Sequence, residues 1–84
     1  ELELRYFRDV DGREVDFVVV ERRKPILMLE ATLAAGPLSP SIRYLKRRFP
    51  GCDAFQVHLR GRDESVTAEG VRLWTAARFL RTLV

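Results

Sequence analysis

From Leu2 the chain alternates. Leu2, Leu4 and Tyr6 are apolar and Glu3 and Arg5 between them are charged, within the run LELRYFRDV over 2–10. A period of two predicts a strand with one buried face. Asp11-Gly12 follows, a dipeptide suited to a two-residue hairpin because both central residues of a type I′ turn take positive φ. The run EVDFVVVE over 14–21 returns as a second strand. A two-residue loop pairs Val10 with Arg13, Arg8 with Val15 and Phe7 with Asp16. That register puts Leu2, Leu4, Tyr6, Val15, Phe17 and Val19 on one face, predicted to be the core. It leaves Asp16 on the other face with Glu14, Val18 and Val20.

RRKP over 22–25 reads as a polar turn. ILMLEATL over 26–33 is apolar on both faces apart from Glu30 and Thr32, the pattern of a central strand covered on two sides. After AAGPLSP, Ser39 as N-cap and Pro40 at N1 open a helix over about 40–49. Ile42, Leu45 and Phe49 fall at helical spacing, and Pro50-Gly51 ends the helix. DAFQVHLR over 53–60 alternates again, with Phe55, Val57 and Leu59 inward and His58 at the surface. GRDES over 61–65 is a loop and VRLW over 71–74 a short strand. Thr75 caps a last helix over 76–83, with Trp74 and Phe79 spaced for a hydrophobic staple. The order β-β-β-α-β-β-α predicts an α/β chain with a mixed (α+β) sheet and helices packed on it.

Composition narrows the setting. The 84 residues suit one small domain over 1–84, and 46% hydrophobic with 32% charged excludes a disordered chain. No apolar run approaches the roughly 20 residues that span a bilayer, so no membrane partner is expected. Cys52 is the one cysteine and has no His or Cys at ligand spacing, which suits an inert thiol in a reducing, cytoplasmic compartment. The chain starts at Glu1 rather than Met and reads as a piece of a longer protein. Its charge of +3 draws only weakly on nucleic acid; yet only two of the 15 basic residues are lysines, and arginine is the residue of choice for phosphate.

The two acids in apolar strands carry the chemistry. If 14–21 and 26–33 lie side by side, Asp16 and Glu30 come opposite each other, and opposed Cβ atoms sit about 4.5–5.5 Å apart. Carboxylates that close repel unless a cation bridges them, and carboxylate oxygens are what Mg²⁺ takes. Thr32 shares the Glu30 face, because strand side chains alternate. From the residues alone two bland readings stay open: Asp16 as a solvent-facing acid near Arg5 or Arg8, and Glu30 in a structural salt bridge with one of the arginines.

GREVDFVV, a turn, ILMLEAT and then a helix resemble the PD-(D/E)XK nuclease-like superfamily. More closely, YFRDVDGREVDFVVVERRKPILMLEAT, with GVRLW before a closing helix, is similar to the C-terminal domain of unknown function of prokaryotic AAA-type ATPases. The resemblance runs over nearly the whole chain and implies a restriction-endonuclease-like core. It implies that Asp16 and Glu30 hold Mg²⁺ or Mn²⁺, with Glu14 the acid that often precedes the Asp by two. It also implies that the chain is the tail of a longer ATPase. The nucleotide site would lie upstream, since no G-x-x-x-x-G-K-[ST] occurs here.

The departure is Thr32, which stands where the family's catalytic lysine would be. A neutral hydroxyl cannot stabilise developing charge as an ammonium does, and losing such a group costs about 10²–10³ in rate. Lys46 is the candidate for a migrated lysine, because Lys24 sits at the far end of its strand. Arg43, Lys46, Arg47 and Arg48 crowd one helix and read either as a phosphate-binding face or as a solvated one. Tyr44 among them reads as a base-stacking or rim residue, and Gln56 as a faint site candidate. Three functions stay open: an inactive accessory domain that binds DNA or a protein such as its own ATPase domain; an active Mg²⁺-dependent DNA nuclease using Lys46; and a structural or homo-oligomerising module.

Overall fold

A computed structural model describes residues 2–8, 12 and 14–84. Six strands form one mixed sheet: β1 (Leu2–Arg8), β2 (Glu14–Glu21), β3 (Lys24–Ala34), β4 (Asp53–Arg60), β5 (Ser65–Val66) and β6 (Arg72–Thr75), in spatial order β1-β2-β3-β4-β6-β5. Helix α1 (Pro40–Arg48) joins β3 to β4, and α2 (Ala76–Arg81) follows β6. The expected mixed α+β sheet is present, with one strand more than the sequence predicts. Ser65–Val66, read from the sequence as loop, pairs with β6 as a two-residue edge strand.

β1, β2 and β3 run antiparallel, whereas β3, β4 and β6 run parallel. Parallel neighbours need a crossover, which explains α1 between β3 and β4. Its N-cap is Ser39, whose Oγ accepts from the Ser41 N–H at 3.2 Å, with Pro40 in the first turn. β3 lies between β2 and β4, as its two-sided apolar pattern requires. Met28 faces one side with Val15, Val18, Ala54 and Val71 under Ile42 and Leu45 of α1. Leu27 and Leu29 face the other with Phe55, Val57, Trp74 and Phe79 of α2.

The core face expected for β1 and β2 is corrected. Leu2, Leu4, Tyr6 and Phe17 are exposed, and the buried pair is Val15 with Val18. A β-bulge is the reason. Arg5 to Phe7 spans two steps of β1, but their partners Val18 to Val15 span three steps of β2. The extra residue at Asp16–Phe17 shifts the alternation, so residues three apart face the same helix. The register moves with it: Phe7 opposes Val15, and Arg8 opposes Glu14. Gly12 has φ +80°, as a type I′ position needs; the Val10–Arg13 pairing and the rest of that turn lie outside the described residues.

A second irregularity follows, where Val19 opposes Leu27 but Val20 opposes Pro25, so that Ile26 is the extra residue in β3. The hairpin between them closes on Arg22 and Arg23, both at positive φ (53° and 66°). This is an unusual place for two long side chains. No helix among the described residues is long and apolar enough to cross a membrane.

Candidate functional site

The bulge that re-faces β2 also places Asp16. Beyond Phe17–Leu29 the β2–β3 ladder stops, and the Asp16 carboxylate takes over the next hydrogen bond: its Oδ2 accepts from the Ala31 N–H at 3.0 Å. A side chain substitutes there for a backbone carbonyl of the departing strand. Asp16 thus stands beside Glu30, one residue before Ala31 on β3.

Glu30 is half-buried, and its carboxyl is held above the ordinary glutamate range. Burial is the main cause; a hydrogen bond from the Ser39 side chain opposes it, and the Asp16 charge adds to it. The Asp16 charge thus lies close enough to act on Glu30. Among the described residues no group of three or more His, Cys, Asp or Glu side chains is placed to hold an ion, so the described carboxylates at this place are these two.

Gln56 opposes Glu30 in the parallel β3–β4 register and is buried. Its Oε1 accepts from the Ser39 N–H at 2.8 Å and its Nε2 donates to the Pro37 carbonyl at 3.0 Å. One amide thereby fixes the chain leading into α1 against the sheet and sets Ser39 over Glu30. Thr32 lies one alternation further, half-buried. Its hydroxyl is directed at backbone: the Ala34 carbonyl at 3.1 Å and the Val57 carbonyl at 3.4 Å.

Sequence reasoning misplaced His58. It opposes Thr32 and is 3% exposed, not at the surface. Its Nε2 is buried with no hydrogen-bond partner among the described residues. A cavity of about 290 Å³ beside it is lined by Gln56, Asp63, Ser65 and Leu73. The signal that could have found it is parity: His58 shares the face of Gln56 and Ala54, the side that α1 and the β4–β6 connection cover. Leu59, expected inward, is exposed instead.

The structure does not bring Lys46 to the acids. Its Nζ donates to the carbonyls of Pro50 (2.8 Å) and Cys52 (2.6 Å), at the C-terminal end of α1. Cys52 precedes β4, whose Asp53 opposes Leu27, while Glu30 opposes Gln56. Three strand residues, about 10 Å, separate the two levels. The arginines of α1 are also engaged. Arg43 and Arg47 share Glu69 at 3.1 and 3.3 Å, one turn apart on the same side of the helix. Arg48 points elsewhere, donating to the Tyr44 hydroxyl at 3.3 Å and lying over Phe49. Tyr44 is half-buried and packs on the α1-side core, at the sheet rim.

The chain matches no protein-family model, no curated protein and no solved structure.

Proposed function

We propose that this chain is a PD-(D/E)XK-like accessory domain of an AAA-type ATPase that holds a divalent cation but does not cut, and that works by binding nucleic acid or a protein partner, its own ATPase domain among the candidates. The carrying observation is the Asp16–Glu30 pair without an ammonium beside it. Thr32 gives its hydroxyl to backbone carbonyls, and Lys46 is tied down at the start of β4, three strand residues below the acids. The donor set suits Mg²⁺ or Mn²⁺, hard ions that take carboxylate oxygens and keep several waters. Asp16 and Glu30 would hold the ion; its charge would offset the repulsion and burial that raise the Glu30 carboxyl.

Thermal melting with MgCl₂ or MnCl₂ tests the site. An ion at tenfold above its Kd adds about 1.4 kcal/mol by linkage, a rise of several degrees in Tm for a domain of this size. Asp16→Asn abolishes that rise. A wild type indifferent to millimolar metal overturns the ion site. Plasmid cleavage by the wild type, lost in both Asp16→Asn and Glu30→Gln, overturns the non-cutting assignment; loss in Lys46→Ala as well would make the protein the nuclease with a displaced lysine.

A further inference from the structure

The sheet has two edges of unequal character. β5 closes one with two residues, while β1 forms the other over seven residues, with no strand beyond it among the described residues. A regular edge of that length is a template for another strand. β1 carries no proline and no bulged residue of its own, the devices that usually block such pairing. Its side chains are exposed on both faces: Leu2 63%, Leu4 68% and Tyr6 56% on one, Glu3 and Arg5 on the other.

The geometry points to a second copy of this chain as the occupant, with β1 pairing antiparallel to β1 across a two-fold axis at Leu4. Opposed residues in an antiparallel ladder must point their N–H and C=O groups the same way. Along a strand this orientation alternates, so a two-fold axis must pass through a residue and never between residues. The candidates can then be tried in turn. An axis at Arg5 sets Arg5 against Arg5, Glu3 against Phe7 and Leu2 against Arg8. An axis at Glu3 sets Glu3 against Glu3, and one at Tyr6 sets Arg5 against Phe7 and Leu4 against Arg8. Over residues 2–6 the axis at Leu4 matches every pair: Glu3 with Arg5 twice, Leu2 with Tyr6 twice, Leu4 with itself; Phe7 and Arg8 extend past that stretch.

Within one chain Glu3 and Arg5 already attract each other, 2.8 Å apart two residues along the strand. In the dimer the same four charges form an alternating square on the α1 face. On the opposite face Leu2, Leu4 and Tyr6 of both copies become one apolar strip, continuous with exposed Phe17 of β2. Mixed charges on an edge normally guard it; here their order makes the edge self-complementary.

Sedimentation of the 84-residue chain, with circular dichroism confirming the fold of each variant, tests this pairing. The wild type is expected to form a concentration-dependent dimer. Glu3→Arg or Arg5→Glu alone sets like charges opposite one another and weakens it by about tenfold. The double variant Glu3→Arg with Arg5→Glu restores it. Cross-linking reads the register independently: Leu4→Cys places two thiols opposite each other within disulfide reach, and Cys52, 1% exposed, offers no competing thiol. Leu4→Cys is expected to oxidise to a covalent dimer much faster than Glu3→Cys or Arg5→Cys. A chain monomeric at millimolar concentration, a double variant no tighter than the single ones, or equal cross-linking at all three positions overturns the proposal.

Discussion

Glu30 and Cys52 show how one side chain's surroundings set its chemistry. The Glu30 carboxyl is raised above 4.5, chiefly by burial. A group whose folded value is raised contributes stability that is full below the unfolded value and is lost as pH rises through the folded one. Glu30 therefore favours folding most when protonated and least at neutral pH. Glu30→Gln keeps a partner for Ser39 and removes the charge. Its Tm is expected to exceed the wild type's by a few degrees at pH 7 and to match it near pH 4, as followed by circular dichroism. Cys52 is pushed up to about 11 by burial, with Lys46 opposing and Asp53 adding. At pH 8 its thiolate fraction is about a hundredfold below that of an ordinary cysteine at 9. Native protein is expected to react with Ellman's reagent at least that much more slowly than protein in denaturant. A fast native reaction would show the thiol to be open.

At the scale of elements, the β2 bulge decides which side chains count. Phe17 is the larger and more apolar residue, yet it is 45% exposed, while Val18 is 7% exposed. Phe17→Ser is expected to cost under about 1 kcal/mol, and Val18→Ser about 2–4 kcal/mol, the loss of buried methyls plus an unpaired hydroxyl. Chemical denaturation distinguishes this from the unbulged register, which reverses the order. The Arg22–Arg23 turn is the second element with a clear consequence. Each non-glycine residue in left-handed backbone costs about 1 kcal/mol or more. Arg22→Asn with Arg23→Gly supplies the residues a type I′ turn favours, and is expected to raise Tm by several degrees. An unchanged or lowered Tm would mean that the arginine side chains contribute more than the turn strain removes.

At the scale of the molecule, several of the described arginines are held in local ion pairs. Arg43 and Arg47 share Glu69, Arg72 lies 3.7 Å from Asp53, and Arg78 pairs with Glu64 at 3.0 Å while stacking over Trp74. Glu69 is held below the ordinary range by its own backbone N–H and by both arginines. If α1 is the nucleic-acid face, Glu69 competes with phosphate for Arg43 and Arg47. Glu69→Gln is then expected to bind duplex DNA more tightly, with the slope of log K against log salt steeper by about 0.9 for each arginine released. Equal slopes would place any DNA contact elsewhere. The apolar surface is just as uneven: Leu33 and Leu59 are exposed on the α2 side of the sheet.

Periodicity by itself determined the strand and helix types, the central place of 26–33, and Asp16 and Glu30 as the acids of interest. These follow from local rules: alternation for strands, Ser39-Pro40 for a helix start, and apolarity on both faces for an interior strand. The sequence could not show the bulge at Asp16–Phe17. An extra residue leaves composition and spacing intact, and only the pairing with β1 and β3 reveals it. That one residue moved the core from Phe17 to Val18 and turned Asp16 toward the Ala31 N–H. Tertiary structure likewise decided that His58 is buried and that Lys46 serves carbonyls far from the acids. Both depend on what packs over a strand end, and neighbours distant in sequence settle that rather than the run in which the residue sits.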